Sequence, residues 1–402
     1  QASDRSQRRS GFDSLVPTTR ENMTYTFDLV GLEASAVRVS ATVADGAKFT
    51  IDGKNGDDDV SVREIRTRVR SVLGLVGSFA GKSVAVSFDR PVDLRGGRHD
   101  LAVAVAILEA ALVVPHVGAI GFIGELALTG TVRPSRGVLP CLLSADAKKL
   151  EHVVVSRECS RAETEGQPNA LVTECLSGVV DWLKNRLDAP AQPGRKSEQE
   201  QKADAAESRD RLHAEFLSVA EHIGAECLIL VGKPGCGKTI AAQLLSRAQA
   251  SLTDDEQREL SCIYSVAGIL RDRIEHRPFR APHHTCSTAA LVGGGSPCRP
   301  GEVTLAHNGL LFLDEAHEFR KESLLAVASA IQTKRTASYK GNLFVSYPAK
   351  PRQLILTVDE AADEKRSGRP VAELREIFEF LRPVVVEMEA RELSRMMEVN
   401  RG

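Results

Sequence analysis

Eight residues in the middle of the chain, Gly232-Lys233-Pro234-Gly235-Cys236-Gly237-Lys238-Thr239, fit the pattern GxxxxGK[ST]. The chemistry of that spacing is phosphate binding. Glycines let backbone N–H groups turn inward on phosphate oxygens, and a following helix adds the positive end of its dipole. Lys238 would reach the β- and γ-phosphates of ATP, and Thr239 would offer its hydroxyl to Mg²⁺. The competing reading is a glycine-rich turn with an incidental lysine. The apolar run CLILV before the loop and the helical IAAQLL after it supply the strand-to-helix context that favours phosphate.

A nucleotide hydrolase also needs acidic partners for the metal and the attacking water. GLLFLDEAHEF supplies them about 75 residues downstream, with Asp314 and Glu315 where an apolar strand would end. Asp314 would hold Mg²⁺ through water. Glu315 would act as general base, so Lys238 and Glu315 are the expected catalytic pair. Between the two motifs, residues 276–309 are dense in Gly, Pro and Arg (Arg277, Arg280, Arg299), which suits a loop or hairpin projecting toward a polyanion or a neighbouring subunit. His283 and His284 invite a metal reading, but adjacent histidines in a strand would face opposite sides and lack partners at ligand spacing.

These residues must be positioned by a chain of 402 residues, 42% of them hydrophobic, enough for two globular domains. The formal charge of −2 gives no global attraction to nucleic acid or anionic membrane, so any such binding needs a local patch. The eight cysteines have no metal-like spacing and read as reduced thiols. No apolar run approaches the ~20 residues of a membrane helix, and a cytoplasmic location is expected. Residues 1–23 read as a polar tail. From 24 to 187, short β-branched runs (KFTI, SVAVSF, HVVVS) alternate with helical patterns, which predicts a mixed sheet with packed helices. Residues 188–209 read as a linker, and 210–390 as an α/β domain whose runs CLILV, GLLFL and RQLILTV suit buried parallel strands.

The P-loop, SVAGI, RPFRAPHHTCSTAALVGGGS and RPGEVTLAHNGLLFLDE together resemble the magnesium-chelatase-type AAA+ ATPases of the ComM/YifB group. FDLVGLEASAVRVSATV, VREIRTRVRSVL, RGGRHDLAVAVAIL and FIGELALTGTVRPSRGVLP resemble the Lon-protease-like domain that precedes the motor there. The resemblance covers residues 24–355. It implies a Lon-like mixed α/β domain followed by a P-loop αβα core with a parallel sheet. It also implies a homo-oligomeric ring that hydrolyses ATP with Mg²⁺ and drives DNA branch migration, with DNA met through the 276–309 insert.

Departures from the family's pattern qualify that implication. Lon proteases use a Ser-Lys dyad, whereas this chain has Gly96-Gly97-Arg98-His99-Asp100 and Arg136-Gly137-Val138-Leu139-Pro140 at those two places, so no peptidase is expected. Asp359 falls where the family carries a sensor asparagine, and a carboxylate there would repel a γ-phosphate unless it faces away or a cation intervenes. The arginine finger cannot be placed, with the register of Leu374–Arg382 ambiguous. Residues 391–402 read as a truncated tail, with the C-terminal lid expected to be missing. The alternatives to an active motor are a degenerate ATP-binding scaffold and a chelatase-like motor serving a metal-insertion partner.

Overall fold

The computed structural model describes residues 24–52, 59–144, 146–185, 222, 224–295, 298–340, 343–361 and 369–388. The readings of 1–23 as a tail, 188–209 as a linker and 391–402 as a truncated tail lie outside them.

The N-terminal half is built on a seven-stranded mixed sheet. Its strands are β1 (Thr24–Val30), β2 (Glu33–Asp45), β3 (Phe49–Ile51), β4 (Lys82–Phe88), β5 (Ile120–Ile123), β8 (His152–Ser156) and β9 (Ala170–Thr173), while β6 (Glu125–Leu126) and β7 (Val132–Arg133) form a separate pair. The order is β3-β4-β2-β1-β5-β8-β9. β1 and β4 flank β2 antiparallel, and β5, β8 and β9 run parallel beyond β1. A helix that is apolar all round must be buried on every side. Asp100–Ala110 is such a helix, solvent-free from Leu101 to Leu108. At its first residue Asp100, 0% exposed, accepts from Arg68 Nε at 2.6 Å and Nη2 at 3.2 Å, and from the Leu126 N–H at 3.1 Å. Arg68 belongs to the helix Val60–Val76, so this pair ties two helices together.

The C-terminal half is a five-stranded sheet, all parallel, of β10 (Cys227–Gly232), β11 (Phe279–Arg280), β12 (Leu310–Leu313), β15 (Gln353–Asp359) and β16 (Val384–Met388), in the order β11-β12-β15-β10-β16. The runs CLILV and LLFL and the stretch QLILTV are the buried centre of that sheet, as their apolarity predicts. The region of ambiguous register resolves into the end of a helix (Arg369–Ile377), a 3₁₀ turn (Glu379–Leu381) and the approach to β16.

One local expectation changes. Residues 276–309 are not a projecting loop throughout, because Phe279–Arg280 is an edge strand paired with β12. The projecting element is instead an antiparallel hairpin, β13 (Arg335–Lys340) and β14 (Leu343–Pro348). Its Val345 and Tyr347 join Val266 in packing against Leu29, Val30 and Leu32 of the N-terminal half. Gly31, at φ +65°, permits this approach: a Cβ there would lie 2.6 Å from the Ser346 carbonyl oxygen. No helix among the described residues is long and apolar enough to cross a membrane.

Candidate functional site

The loop after β10 opens at the carboxyl ends of the parallel strands, the ligand position of open α/β sheets. Gly235 and Gly237 take φ of +80° and +96°, a region disfavoured for side-chain-bearing residues. Gly237 caps the helix Lys238–Arg247. Gly232 has no room for a side chain, since a Cβ would meet Cys236 Sγ and the Met388 carbonyl oxygen, each at 2.7 Å.

Pro234, Gly235, Gly237, Lys238, Thr239, Asp314, Glu315 and Asp359 line one cavity of about 330 Å³. The structure therefore brings together Lys238, Thr239, Asp314, Glu315 and Asp359, expected from separate stretches of sequence. Cys236 is buried in the core beneath the loop, away from the cavity wall.

Lys238 is 7% exposed, and an ammonium has three donors. It donates to the Gly232 carbonyl at 2.6 Å, the Lys233 carbonyl at 3.2 Å and Asp359 Oδ1 at 2.9 Å. The register that pairs Gly232 with Asp359 across β10 and β15 sets up the last contact. The Asp359 carboxylate thus faces the loop, with the Lys238 ammonium as its counter-charge.

Asp314 and Glu315 are linked through Thr357 on β15. The Glu315 N–H donates to Thr357 Oγ1 at 2.8 Å, and that hydroxyl donates to Asp314 Oδ1 at 2.7 Å. Glu315 sits at φ +50°, a left-handed conformation costing about 1–2 kcal/mol outside glycine. The bond from its N–H to Thr357 helps hold it there.

His283 and His284 do not face opposite sides of a strand. They occupy a turn, with ring centroids 4.1 Å apart, and His284 Nδ1 lies 3.4 Å from Glu315 Oε2. No group of three or more His, Cys, Asp or Glu side chains suited to a metal ion occurs among the described residues. The spacing-based reading missed His284 as a neighbour of Glu315 because the strand ends at Arg280 and the chain turns back across the end of β12.

Two of the three arginines of 276–309 are structural. Arg277 is buried and clamps Glu256 with both terminal nitrogens, at 3.0 and 2.8 Å, while donating to the Ala250, Ser251 and Asn308 carbonyls. Glu256 closes the capping box of the helix Asp254–Ala267, and its bonds to Arg277 bring its pKa down to about 2. The spacing Thr253-Asp254-Asp255-Glu256 is a readable helix start, and it assigns a fixed acidic partner to this region. Arg280 pairs with Glu302 at 2.7 and 2.8 Å.

Comparison with known proteins agrees with this geometry. A family model described as magnesium chelatase, subunit ChlI, matches residues 207–369, and one described as subunit ChlI of Mg-chelatase matches 39–159. The chain is 31% identical over 338 residues to the competence protein ComM of Haemophilus influenzae, covering 80% of this chain and 65% of that protein. It is 32% identical over 334 residues to the uncharacterized protein YifB of Salmonella typhimurium, covering 80% and 64%. It is 33% identical over 344 residues to the uncharacterized protein Rv2897c of Mycobacterium tuberculosis, covering 82% and 67%. The chain thus spans about two thirds of the length of these relatives. With two family models matched in chain order and relatives aligned across both halves, the chain belongs to the ComM/YifB group of magnesium-chelatase-like AAA+ proteins.

Proposed function

We propose that this chain binds ATP with Mg²⁺ and hydrolyses it as the subunit of a ring-forming motor that acts on DNA. The observation that carries the reading is the convergence of Lys238, Thr239, Asp314 and Glu315 on one cavity at the carboxyl ends of β10, β12 and β15. The loop's backbone N–H groups and Lys238 would hold the phosphates. The Thr239 hydroxyl and Asp314 would hold Mg²⁺. The donor set suits a hard cation, since both are oxygen ligands and no described residue bonds the second carboxylate oxygen of Asp314. Mg²⁺, when bound, neutralises phosphate charge. Glu315 takes the proton from the attacking water, and His284 beside it orients that carboxylate. The N-terminal half is a structural or docking module without peptidase chemistry. The reading of DNA as the substrate is supported by the family resemblance and by one relative being a competence protein.

The experiment is ATP turnover by the chain alone, with single-stranded DNA, and with branched DNA. Stimulation by DNA is expected, with Glu315→Gln lowering the rate about 10²–10⁴-fold and leaving ATP affinity intact. Calorimetry that finds no ATP affinity in the parent protein would overturn the reading. A second reading, an ATP-binding scaffold with little turnover, is favoured by the Lys238–Asp359 contact, because a lysine with all three donors engaged must exchange one to reach a phosphate. DNA-insensitive turnover near background in the presence of tight ATP binding would select it.

A further inference from the structure

The two loops that correspond to a Lon protease's catalytic segments do meet, and they meet as arginines. Arg98 Nη2 donates to the Arg136 carbonyl at 2.7 Å. The loop carrying Arg136 is pinned to the C-terminal half. The Gly137 N–H donates to the Ser265 carbonyl at 3.0 Å, the Leu139 N–H donates to Ser265 Oγ at 3.2 Å, and that hydroxyl donates to the buried Glu163 at 2.6 Å. The Arg136 side chain lies along Gly268, where a Cβ would come 3.0 to 3.3 Å from its Nε, Cγ and Cδ.

A third cation comes from the other side of the seam. Arg299 is held by paired backbone bonds with Gly294, at 3.1 and 2.9 Å. The carbonyl of Cys298, next to it, accepts from the Tyr347 hydroxyl at 3.0 Å. The charges share one locality: Arg136 is held below its ordinary pKa by burial of its stem and by the Arg299 charge, and the Arg98 charge reaches Tyr347.

None of the three guanidiniums joins an ion pair among the described residues, in contrast to Arg68, Arg277 and Arg280. Arg98 Nε and Ser135 Oγ are buried there without a hydrogen-bond partner. The Asp28 carboxylate, which accepts from the Leu29 N–H at 3.0 Å, lies within electrostatic reach of Arg98 but forms no ion pair with it. Arg98 is half-buried and Arg136 and Arg299 are exposed beside it; three like charges gathered with one carboxylate in reach and no ion pair repel one another, and the orphaned buried donor of Arg98 adds to that. An anion resolves both.

We propose that Arg98, Arg136 and Arg299 form a phosphate-binding site at the seam between the two halves, apart from the P-loop cavity, which takes a phosphodiester group of a nucleic-acid strand. Guanidinium forks match phosphate oxygens in pairs, so three of them from two halves would clamp a backbone without reading its bases. The strand as the source of the phosphate rests on the DNA reading above; the phosphate chemistry does not.

The test uses the full chain saturated with a non-hydrolysable ATP analogue, so that the P-loop is occupied. The probes are a fluorescein-labelled oligothymidylate, followed by anisotropy from 50 to 200 mM salt, and inorganic pyrophosphate, followed by calorimetry. Arg136→Ala with Arg299→Ala is expected to weaken oligonucleotide binding at least about tenfold and to lower the salt slope by about 2, one for each lost phosphate contact. The Arg136→Lys, Arg299→Lys pair should keep the slope. Pyrophosphate binding that is present in the parent and lost in the alanine pair, with no oligonucleotide binding by either, would keep the site, assign it a free phosphate and remove the DNA reading. Neither probe separating the parent from the alanine pair overturns the site. Should the alanine pair fail to fold, Arg299→Gln alone, at an exposed position, carries the same test with an expected weakening of about threefold or more.

Discussion

Each half of the molecule holds a cation against an aspartate in a mostly buried place, and the two pairs are built differently. Arg68 and Asp100 are enclosed: the carboxylate is 0% exposed and takes bonds from the guanidinium and from a backbone N–H. Lys238 and Asp359 stand on the wall of a cavity, with the aspartate 24% exposed. An enclosed pair has no replacement partner when one member is lost. A pair beside open space can exchange its counter-ion for water or a ligand. The first arrangement serves the fold, and the second leaves its lysine available for exchange.

The largest effect should come from the enclosed pair. Arg68→Ala strands a buried carboxylate and is expected to lower stability by about 3–5 kcal/mol. Denaturant titration followed through Trp182, the chain's single tryptophan and part of the N-terminal half, would measure it. Lys238→Ala should show the opposite profile, with ATP affinity down at least about 100-fold (about 2.7 kcal/mol) and stability changed by less than about 1 kcal/mol. Equal destabilisation by the two substitutions would break the comparison.

Asp359→Asn should sharpen it. Removing the counter-charge frees one lysine donor and is expected to raise ATP turnover by about threefold to tenfold, on the order of 1 kcal/mol in barrier. An unchanged rate would show that the ion pair places no restraint on Lys238. The smallest effect belongs to Glu256, a partner of the kind the three seam arginines lack. Its folded pKa of about 2 lies below its ordinary 4.5, chiefly through its bonds to Arg277. Its contribution is therefore present above about pH 4.5 and lost as pH falls from 4.5 through 2. Glu256→Gln should lower stability by about 1 kcal/mol at neutral pH. The gap from the parent, read by thermal melts across pH, should close toward pH 2.

The parallel strands of the C-terminal half were legible because strands buried on both faces must be continuously apolar, as Cys227–Val231 and Leu354–Val358 are. The strand-to-helix setting of the glycine-rich loop and the strand end carrying Asp314 and Glu315 were legible because residue type and local spacing mark both. Contacts that depend on register were not. Asp359 can be placed near the loop from the family's pattern, but its bond to Lys238 needs the pairing of Gly232 with Asp359 across strands far apart in sequence. The β13–β14 hairpin has a local signal in the sequence, two β-rich runs separated by Gly341-Asn342. Arg277 was misjudged because an arginine in a Gly/Pro-rich stretch looks solvated until its partner, 21 residues earlier in the chain, is folded against it.

Thr357 and Asp359 stand two residues apart on β15, so the pleat sends both side chains to one face. Through Thr357 that face fixes the link between Asp314 and Glu315, and through Asp359 it reaches Lys238. The cavity therefore has a common wall. A slide of this one strand relative to β10 and β12 would alter the grip on the lysine and the set of the two acids together. A load on β15, such as one carried through the hairpin that leads into it, would therefore reach both the lysine and the two acids of the cavity.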